Sequence, residues 1–234
     1  MQALRGALAP LPFVLIMSAV LVLVPGLLAG VWAWPTAWIF LAAFGAASAL
    51  ASALLAVLRP ASFRVRQQGW VAAGAKRQPL IDALGLLAYG GFMLCWFAFI
   101  PLDVFRLKLL PAPSTIVQIL GAAAALAGVA IAYVALGQNR FAAPTIHDQS
   151  ADAQQIVQSG LYGVVRHPFY AGMLLVYPGT ALWLGSYAAA IGAVGHLAMT
   201  LARIVIEERY LRSQFPDYGA YARRVRARLI PALL

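Results

Sequence analysis

Side chains able to hold charged groups are concentrated in two short segments in the second half of this chain. One reads G-L-Y-G-V-V-R-H-P-F-Y-A-G over 160–172 and combines hydroxyl, guanidinium and imidazole groups. The other, R-I-V-I-E-E-R over 203–209, places Arg203 and Glu207 four residues apart, on one face of a helix. A carboxylate there can offset a cationic ligand and an arginine can hold an anion, although the two side chains can also simply pair with each other, an interaction worth little at a surface.

Glu207 and Glu208 are two of only seven acidic residues, and they follow a long apolar run. An ionisable side chain at membrane depth is costly and usually functional. The first segment allows a simpler explanation, in which Arg166, His167 and Tyr170 anchor the start of a helix at a membrane surface. Residue types alone therefore leave both a binding site and an interfacial anchor open.

The amino-acid composition shows whether these segments belong to a water-soluble or a membrane protein. Of the 234 residues, 63% are hydrophobic and 10% are charged, and the mean hydropathy is +0.82, whereas soluble domains are roughly 45–50% apolar and 25% charged. A water-soluble fold is therefore excluded. The net charge of +10 fits membrane topology better than nucleic-acid binding, so no nucleic-acid partner is expected.

Stretches of about 20 apolar residues, the length that crosses a bilayer, recur along the chain. They lie at 11–33, 36–58, 80–100, 114–137 and 168–206. The last is too long for one crossing, and Gly185-Ser186 is a turn signal that divides it into a helical hairpin. The sequence predicts an all-α, polytopic transmembrane bundle of about six helices, with a C-terminal helical hairpin and a cytoplasmic amphipathic tail. Residues 1–137 would form the N-terminal helices and 138–234 the catalytic region.

The basic residues orient this topology. All but Arg106 and Lys108 of the 17 Lys and Arg residues fall on one side of a six-helix arrangement, and positively charged loops stay in the cytoplasm. Both termini are therefore predicted to be cytoplasmic, with the first apolar run an uncleaved helix in a bacterial inner membrane. In this arrangement the hairpin returns Glu207 to the side on which His167 precedes a helix, so the two polar segments converge.

Four motifs give the C-terminal part of the chain a resemblance to a known family. They are the 160–172 segment, L-x-L-G-S at 182–186, R-I-V-I-E-E-R-Y-L at 203–211 and F-P-D-Y-G-A-Y-A-R-R-V-R-A-R-L-I-P at 215–231. Together they resemble the isoprenylcysteine carboxyl methyltransferase family and its phospholipid methyltransferase relatives over roughly 138–231. The resemblance implies an S-adenosylmethionine-dependent methyltransferase without a Rossmann domain, and the sequence has no G-x-G-x-x-G after a strand.

The resemblance also assigns roles to individual residues. Arg203 would face the substrate as the catalytic residue. The cofactor would lie between the last helices and the tail, held by Gln154, Gln155, Ile156, Val157, Tyr162, His167, Pro168, Phe169, Tyr170 and Glu207. His147 occupies the place of a further polar contact, on a weaker match. The three histidines lack ligand spacing, so no metal site is expected.

The chemistry of these residues fits the implied roles. Glu207 and the faces of Tyr162 and Tyr170 can offset the desolvation of the cofactor's sulfonium cation. Methyl transfer to a carboxylate or thiolate depends mainly on alignment. An arginine such as Arg203 can grip an anionic acceptor but cannot take a proton from an amine. An anionic group on a hydrophobic or lipid-like substrate is therefore expected, while a prenyl or acyl thiol, a lipid carboxylate and a phospholipid amine all stay open.

Two other functions compete with this interpretation. A membrane reductase of the sterol-reductase type has a similar C-terminal half and uses a nicotinamide cofactor, and a scaffold or small transporter would need no chemistry at all. The tail over 215–229 is expected to lie on anionic membrane lipids, to close over the cofactor, or both. His196, within the last apolar run, is expected to be a hydrogen-bonded helix contact rather than a proton relay.

Overall fold

The structure is a computed structural model that describes residues 1–72, 80–141 and 155–232. Every regular element in these ranges is helical, which confirms the predicted all-α class. The helices are α1 (Gln2–Leu8), α2 (Leu11–Ala29), α3 (Pro35–Leu58), α4 (Pro60–Ala72), α5 (Leu80–Leu102) with a π-helical end (Asp103–Leu107), α6 (Thr115–Gln138), a 3-10 turn (Gly160–Gly163), α7 (Pro168–Trp183), α8 (Tyr187–Gly192), α9 (Val194–Gln214) and α10 (Tyr218–Arg224).

The bounds predicted for the first four apolar runs agree with the observed helices to within a few residues, because the bilayer fixes the length of each run. The last run, predicted to end at 206, continues as helix to Gln214. Among the described residues, five helical spans are long and apolar enough to cross a membrane: Gln2–Ala29, Pro35–Leu58, Leu87–Leu107, Thr115–Gln138 and Tyr187–Gln214. The remaining expected crossing, α7, has 16 residues, is about 24 Å long and packs lengthwise against α6.

Two features of the N-terminal half do not follow from the lengths of the apolar runs. Residues 60–72, between two of these runs, form α4. Gly26 and Gly30 shape a turn at the end of α2: Trp32 packs on Gly26, and Gly30 ends α2 in a left-handed conformation with a φ of 69°.

Helices α6 and α7 pack backbone against backbone. A Cβ atom placed on Gly128 would lie 2.5 Å from the carbonyl oxygen of Gly172, and one placed on Gly172 would lie 2.6 Å from the carbonyl oxygen of Gly128. Gly121 and Gly179 approach each other in the same reciprocal way. Small residues allow such proximity between membrane helices, where dispersion contacts replace the hydrophobic effect as the main attraction. This contact fixes the start of α7 relative to the end of α6.

The predicted division of the last apolar run is confirmed. Gly185 has a φ of 96°, and the Ser186 hydroxyl caps α8 by accepting the Ala189 amide at 2.9 Å. The same hydroxyl donates to the Asp103 carboxylate at 2.6 Å, so the turn is tied to the end of α5. We call this end of the bundle the hairpin side, and the opposite end, where α6 and α9 finish and α7 begins, the tail side.

His196 differs from its predicted role. Its ring is fully buried on α9 and stacks on Tyr177 with centroids 3.9 Å apart. Neither ring nitrogen has a hydrogen-bond partner among the residues that the structure describes. Phe92 and Trp96 contact the ring edge-on. The prediction of a hydrogen-bonded contact was therefore wrong, and His196 is part of an aromatic cluster between α5, α7 and α9.

We expect Gly128→Val to lower the free energy of unfolding by about 1–3 kcal/mol, since the new side chain would enter the α7 backbone. The measurement is thermal or denaturant unfolding in detergent, followed by circular dichroism. Gly91→Val is the matched control, because a Cβ on Gly91 meets no atom within 4 Å. Equal destabilisation by the two substitutions would contradict the account of the α6–α7 contact.

Candidate active site

The end of α6 holds the 3-10 turn that precedes the site. The Gln138 side chain accepts the Leu161 amide at 2.9 Å. Gly160, with a φ of 61°, leaves room for that side chain, since a Cβ there would lie 2.6 Å from it. Asn139, the next residue, acts on the Tyr162 hydroxyl and lowers its pKa, an effect smaller than the increase caused by burial. The turn that carries Tyr162 is therefore held by the end of α6.

The start of α7 is joined to the C-terminal tail by main-chain hydrogen bonds. The amide of Arg166 donates to the carbonyl of Ala227 at 3.0 Å, and that of His167 to the carbonyl of Arg228 at 2.9 Å. Pro168 then opens α7, where its missing N–H is no loss. Beyond α10, the tail thus runs as extended chain beside residues 166–167 rather than continuing as the long amphipathic helix expected from the sequence.

A buried ion pair closes the same junction through side chains. Arg166 Nε donates to Glu208 Oε1 at 2.8 Å, and both side chains are buried. Arg166 Nη1 donates to the carbonyl oxygens of Val225 at 2.6 Å and Arg226 at 2.7 Å. Glu208 also accepts from Arg228 at 3.3 Å. One carboxylate therefore links α9, the entry to α7 and the tail.

His167 lies between the two glutamates of α9. Its Nε2 is 3.3 Å from Glu208 Oε1, and its Nδ1 is 4.0 Å from Glu207 Oε1. Because an ionised carboxylate can only accept, the Nε2 hydrogen is donated to Glu208. This bond fixes the plane of the imidazole ring, whose other edge faces Glu207.

Glu207, Tyr170 and Arg203 form the second polar contact of the site. The Tyr170 hydroxyl donates to Glu207 Oε2 at 3.2 Å and accepts from Arg203 Nε at 3.0 Å. The tyrosine on α7 therefore bridges the carboxylate and the guanidinium on α9. Glu207 is 32% exposed, whereas Glu208 is 5% exposed. Of the two adjacent carboxylates, Glu207 keeps capacity for a ligand, and Glu208 is occupied by the protein.

Two tyrosines close the other side of the site. The Tyr221 hydroxyl on α10 donates to the main-chain oxygen of Tyr162 at 2.8 Å. Burial raises the pKa of both Tyr162 and Tyr221 to about 12. Both hydroxyls are therefore neutral at physiological pH. The Tyr221 hydroxyl joins the tail to the 3-10 turn.

The predicted cofactor residues are partly assembled by these contacts. Tyr162, His167, Pro168, Tyr170 and Glu207 lie around the junction of α7, α9 and the tail. Phe169 packs edge-on against Tyr170, with centroids 5.6 Å apart.

The remaining predicted cofactor residues lie upstream of the 3-10 turn. Ile156 packs against the Tyr218–Tyr221–Val225 cluster, Val157 is half-buried and Gln155 is exposed. Gln154 and His147 lie outside the described residues. The role of each of these residues stays a prediction.

Several contributors were not selected from the sequence. Glu208 and Arg166 are the central ion pair, and Arg228 reaches them from the tail. The run of two glutamates was a visible signal, but only the rotation of α9 decides which of them turns inward. Asn139 carried no signal of its own, because its role depends on packing between α6 and the 3-10 turn.

The geometry brings opposite charges to neighbouring positions without neutralising all of them. Glu207 can accept a cationic or hydrogen-bond-donating group beside Tyr170. The Arg203 guanidinium, one helical turn earlier on α9, can hold an anionic group. The donor set suits a ligand with a cationic centre and polar ends. Across the described residues, no group of three His, Cys, Asp or Glu side chains is placed to hold a metal ion.

The described part of the chain combines an all-helical membrane bundle with a polar site on the tail side. Residues 116–218 match the family model of phospholipid methyltransferases, which falls within the isoprenylcysteine carboxyl methyltransferase-like group of membrane methyltransferases. The resemblance drawn from the four motifs is confirmed.

One curated relative matches a shorter part of the chain. The cobalt-zinc-cadmium resistance protein CzcN of Cupriavidus metallidurans is 40% identical over 73 residues, which are 31% of this chain and 34% of that protein. The chain thus covers about a third of the length of that relative. No solved structure matches the chain.

Proposed function

We propose that this protein is an S-adenosylmethionine-dependent methyltransferase that modifies an anionic group, a carboxylate or a thiolate, on a hydrophobic or lipid-like substrate. The observation that carries the proposal is the Glu207–Tyr170–Arg203 contact at the tail side of the bundle. It supports the proposal because a carboxylate and a guanidinium contact one tyrosine hydroxyl, so that the first could bind the cofactor and the second the acceptor.

The cofactor half of the proposal rests on Glu207 and the aromatic groups beside it. Glu207 is partly exposed and makes one described hydrogen bond, from Tyr170, so it retains acceptor capacity. The Nδ1 edge of His167 lies 4.0 Å from Glu207, and Phe169 packs on Tyr170. S-adenosylmethionine supplies a methyl group on a sulfonium, which transfers to a nucleophile as the C–S bond breaks and its electrons return to sulfur. A carboxylate close to that cation would favour its binding.

The acceptor half rests on Arg203. Arg203 precedes Glu207 on α9 and lies nearer the apolar part of the bundle. A lipid-like substrate could place its polar head beside Arg203 and keep its chain in the hydrocarbon region. Arg203 stays protonated, so it binds and orients the acceptor but cannot remove a proton from it. An acceptor that is already anionic needs no base. Alignment by Arg203 would then supply most of the rate enhancement.

We expect the purified protein to bind S-adenosylmethionine and S-adenosylhomocysteine in isothermal titration calorimetry, and Glu207→Gln to weaken binding of the cation by at least about tenfold, the size of one lost charge-assisted hydrogen bond. The neutral thioether product should lose less affinity than the cation. Asp217→Asn is the matched control, because Asp217 is an exposed carboxylate in the tail.

Binding of NADPH in place of S-adenosylmethionine would contradict the proposal and favour a reductase. Binding of neither compound would favour a scaffold or transporter. Equal cofactor affinity in wild type and Glu207→Gln would retain the methyltransferase but remove Glu207 from its cofactor site.

A second expectation concerns Arg203. With a radiolabelled methyl donor and an acceptor found by screening prenyl thiols and lipid carboxylates, Arg203→Ala should lower kcat/KM about 100-fold or more, because it removes the group that orients the anion. Affinity for S-adenosylhomocysteine should change by no more than about threefold. The control is Arg209→Ala, an exposed arginine on the same helix. Full methyl transfer in Arg203→Ala would contradict the assigned role.

A further inference from the structure

Arg66 is a charged side chain from the N-terminal part of the chain that reaches the edge of the proposed cofactor site. It lies on α4 and contacts the last turn of α6. Its Nη2 donates to the carbonyl oxygens of Leu136 at 3.0 Å and Asn139 at 3.3 Å, and its Nη1 donates to Ser62 on its own helix at 2.6 Å. The last carbonyls of a helix have no partner within that helix, so Arg66 supplies missing donors and a favourable charge at the negative end of α6.

Helix carbonyls compensate the charge of Arg66, rather than a carboxylate. Among the described residues no ion pair joins it to an acidic side chain, and its Nε has no hydrogen-bond partner. Burial lowers its pKa to about 10, and the groups whose charges act on it are the hydroxyls of Tyr162 and Tyr133. Arg66 is thus a desolvated cation placed next to Tyr162, a residue assigned to the cofactor.

The link from α6 to the turn that carries Tyr162 is made by Gln138. Its side-chain oxygen accepts the Leu161 amide at 2.9 Å, and Gly160 leaves room for that side chain. Asn139, the next residue, accepts the Phe141 amide on its side-chain oxygen at 2.9 Å, so its NH2 group is the part that can act on Tyr162. Arg66 therefore holds the end of the helix from which Gln138 positions the 3-10 turn.

We propose that Arg66 is a positioning residue for the cofactor site: it holds the end of α6 from which Gln138 positions the 3-10 turn, and it thereby fixes where Tyr162 presents its hydroxyl to the ligand. This proposal rests on the proposed function, because it takes Tyr162 as a cofactor contact. It adds a residue that lies outside the span matched to the family, 116–218. It also gives the N-terminal helices a part in cofactor binding.

The test is calorimetric titration of the full-length, detergent-purified protein with S-adenosylhomocysteine. Arg66→Met should weaken binding about tenfold, and Arg66→Lys should recover part of the loss, because a lysine can still donate to one helix carbonyl. Arg64→Met, an exposed arginine on the same helix, should bind within about twofold of wild type. The KM for the methyl acceptor should stay within about twofold in all three variants.

A double-mutant cycle separates positioning from general support of the fold. Tyr162→Phe removes the hydroxyl that Arg66 is proposed to orient, so Arg66→Met should cost little further affinity in that background. Equal losses in the two backgrounds would overturn the proposal, as would wild-type affinity in Arg66→Met. If Arg66→Met does not fold, Gln138→Ala tests the same link with the same expected non-additivity. Absence of binding in the wild type would overturn the proposed function itself, whereas binding that survives Arg66→Met overturns only the role of Arg66.

Discussion

A buried carboxylate must be neutralised by partners, and Glu208 meets that constraint with groups from two other parts of the chain. Arg166 and His167 reach it from the start of α7, and Arg228 reaches it from the tail. Removing a charge from water costs several kcal/mol per ion unless its hydrogen-bonding capacity is filled. The pairs around Glu208 therefore do more than add stability: they require α7, α9 and the tail to meet at one point. Glu207, one residue earlier, stays partly exposed and makes one described hydrogen bond, from Tyr170.

The α6–α7 contact supplies the second constraint. Glycines on both helices allow the backbones to touch, which sets the height of α7 against the end of α6. That register brings the 3-10 turn close to the start of α7. Gln138, at the end of α6, holds the turn by accepting the Leu161 amide. The site is thus positioned by packing in the membrane on one side and by paired charges on the other. The Arg66 contact with the end of α6 extends this support to the N-terminal helices.

Much of this arrangement followed from the sequence. The lengths of the apolar runs gave the helix bounds, the Gly185-Ser186 turn gave the hairpin, and the convergence of the 160–172 and 203–209 segments required only that the hairpin return the chain to the same side. Other features depend on rotation and packing that local patterns do not encode. The rotation of α9 decides whether Glu207 or Glu208 points into the protein. Arg66 contacts Asn139 although the two residues are 73 positions apart in the chain. The seven-residue spacing of Gly121 and Gly128 on α6, matched by Gly172 and Gly179 on α7, was a signal in the sequence, but small residues are too frequent in membrane helices for it to identify the pair.

The central claim is that Glu208 holds the tail against the start of α7 and thereby creates the site. Hydrogen–deuterium exchange on the detergent-purified protein tests this directly, because the amides of Arg166 and His167 are bonded to the tail. In Glu208→Gln, the account predicts faster exchange at those two amides and in α10, with unchanged protection in the middle of α6. Unchanged protection at Arg166 and His167 would contradict it, since the tail would then be held without the buried carboxylate.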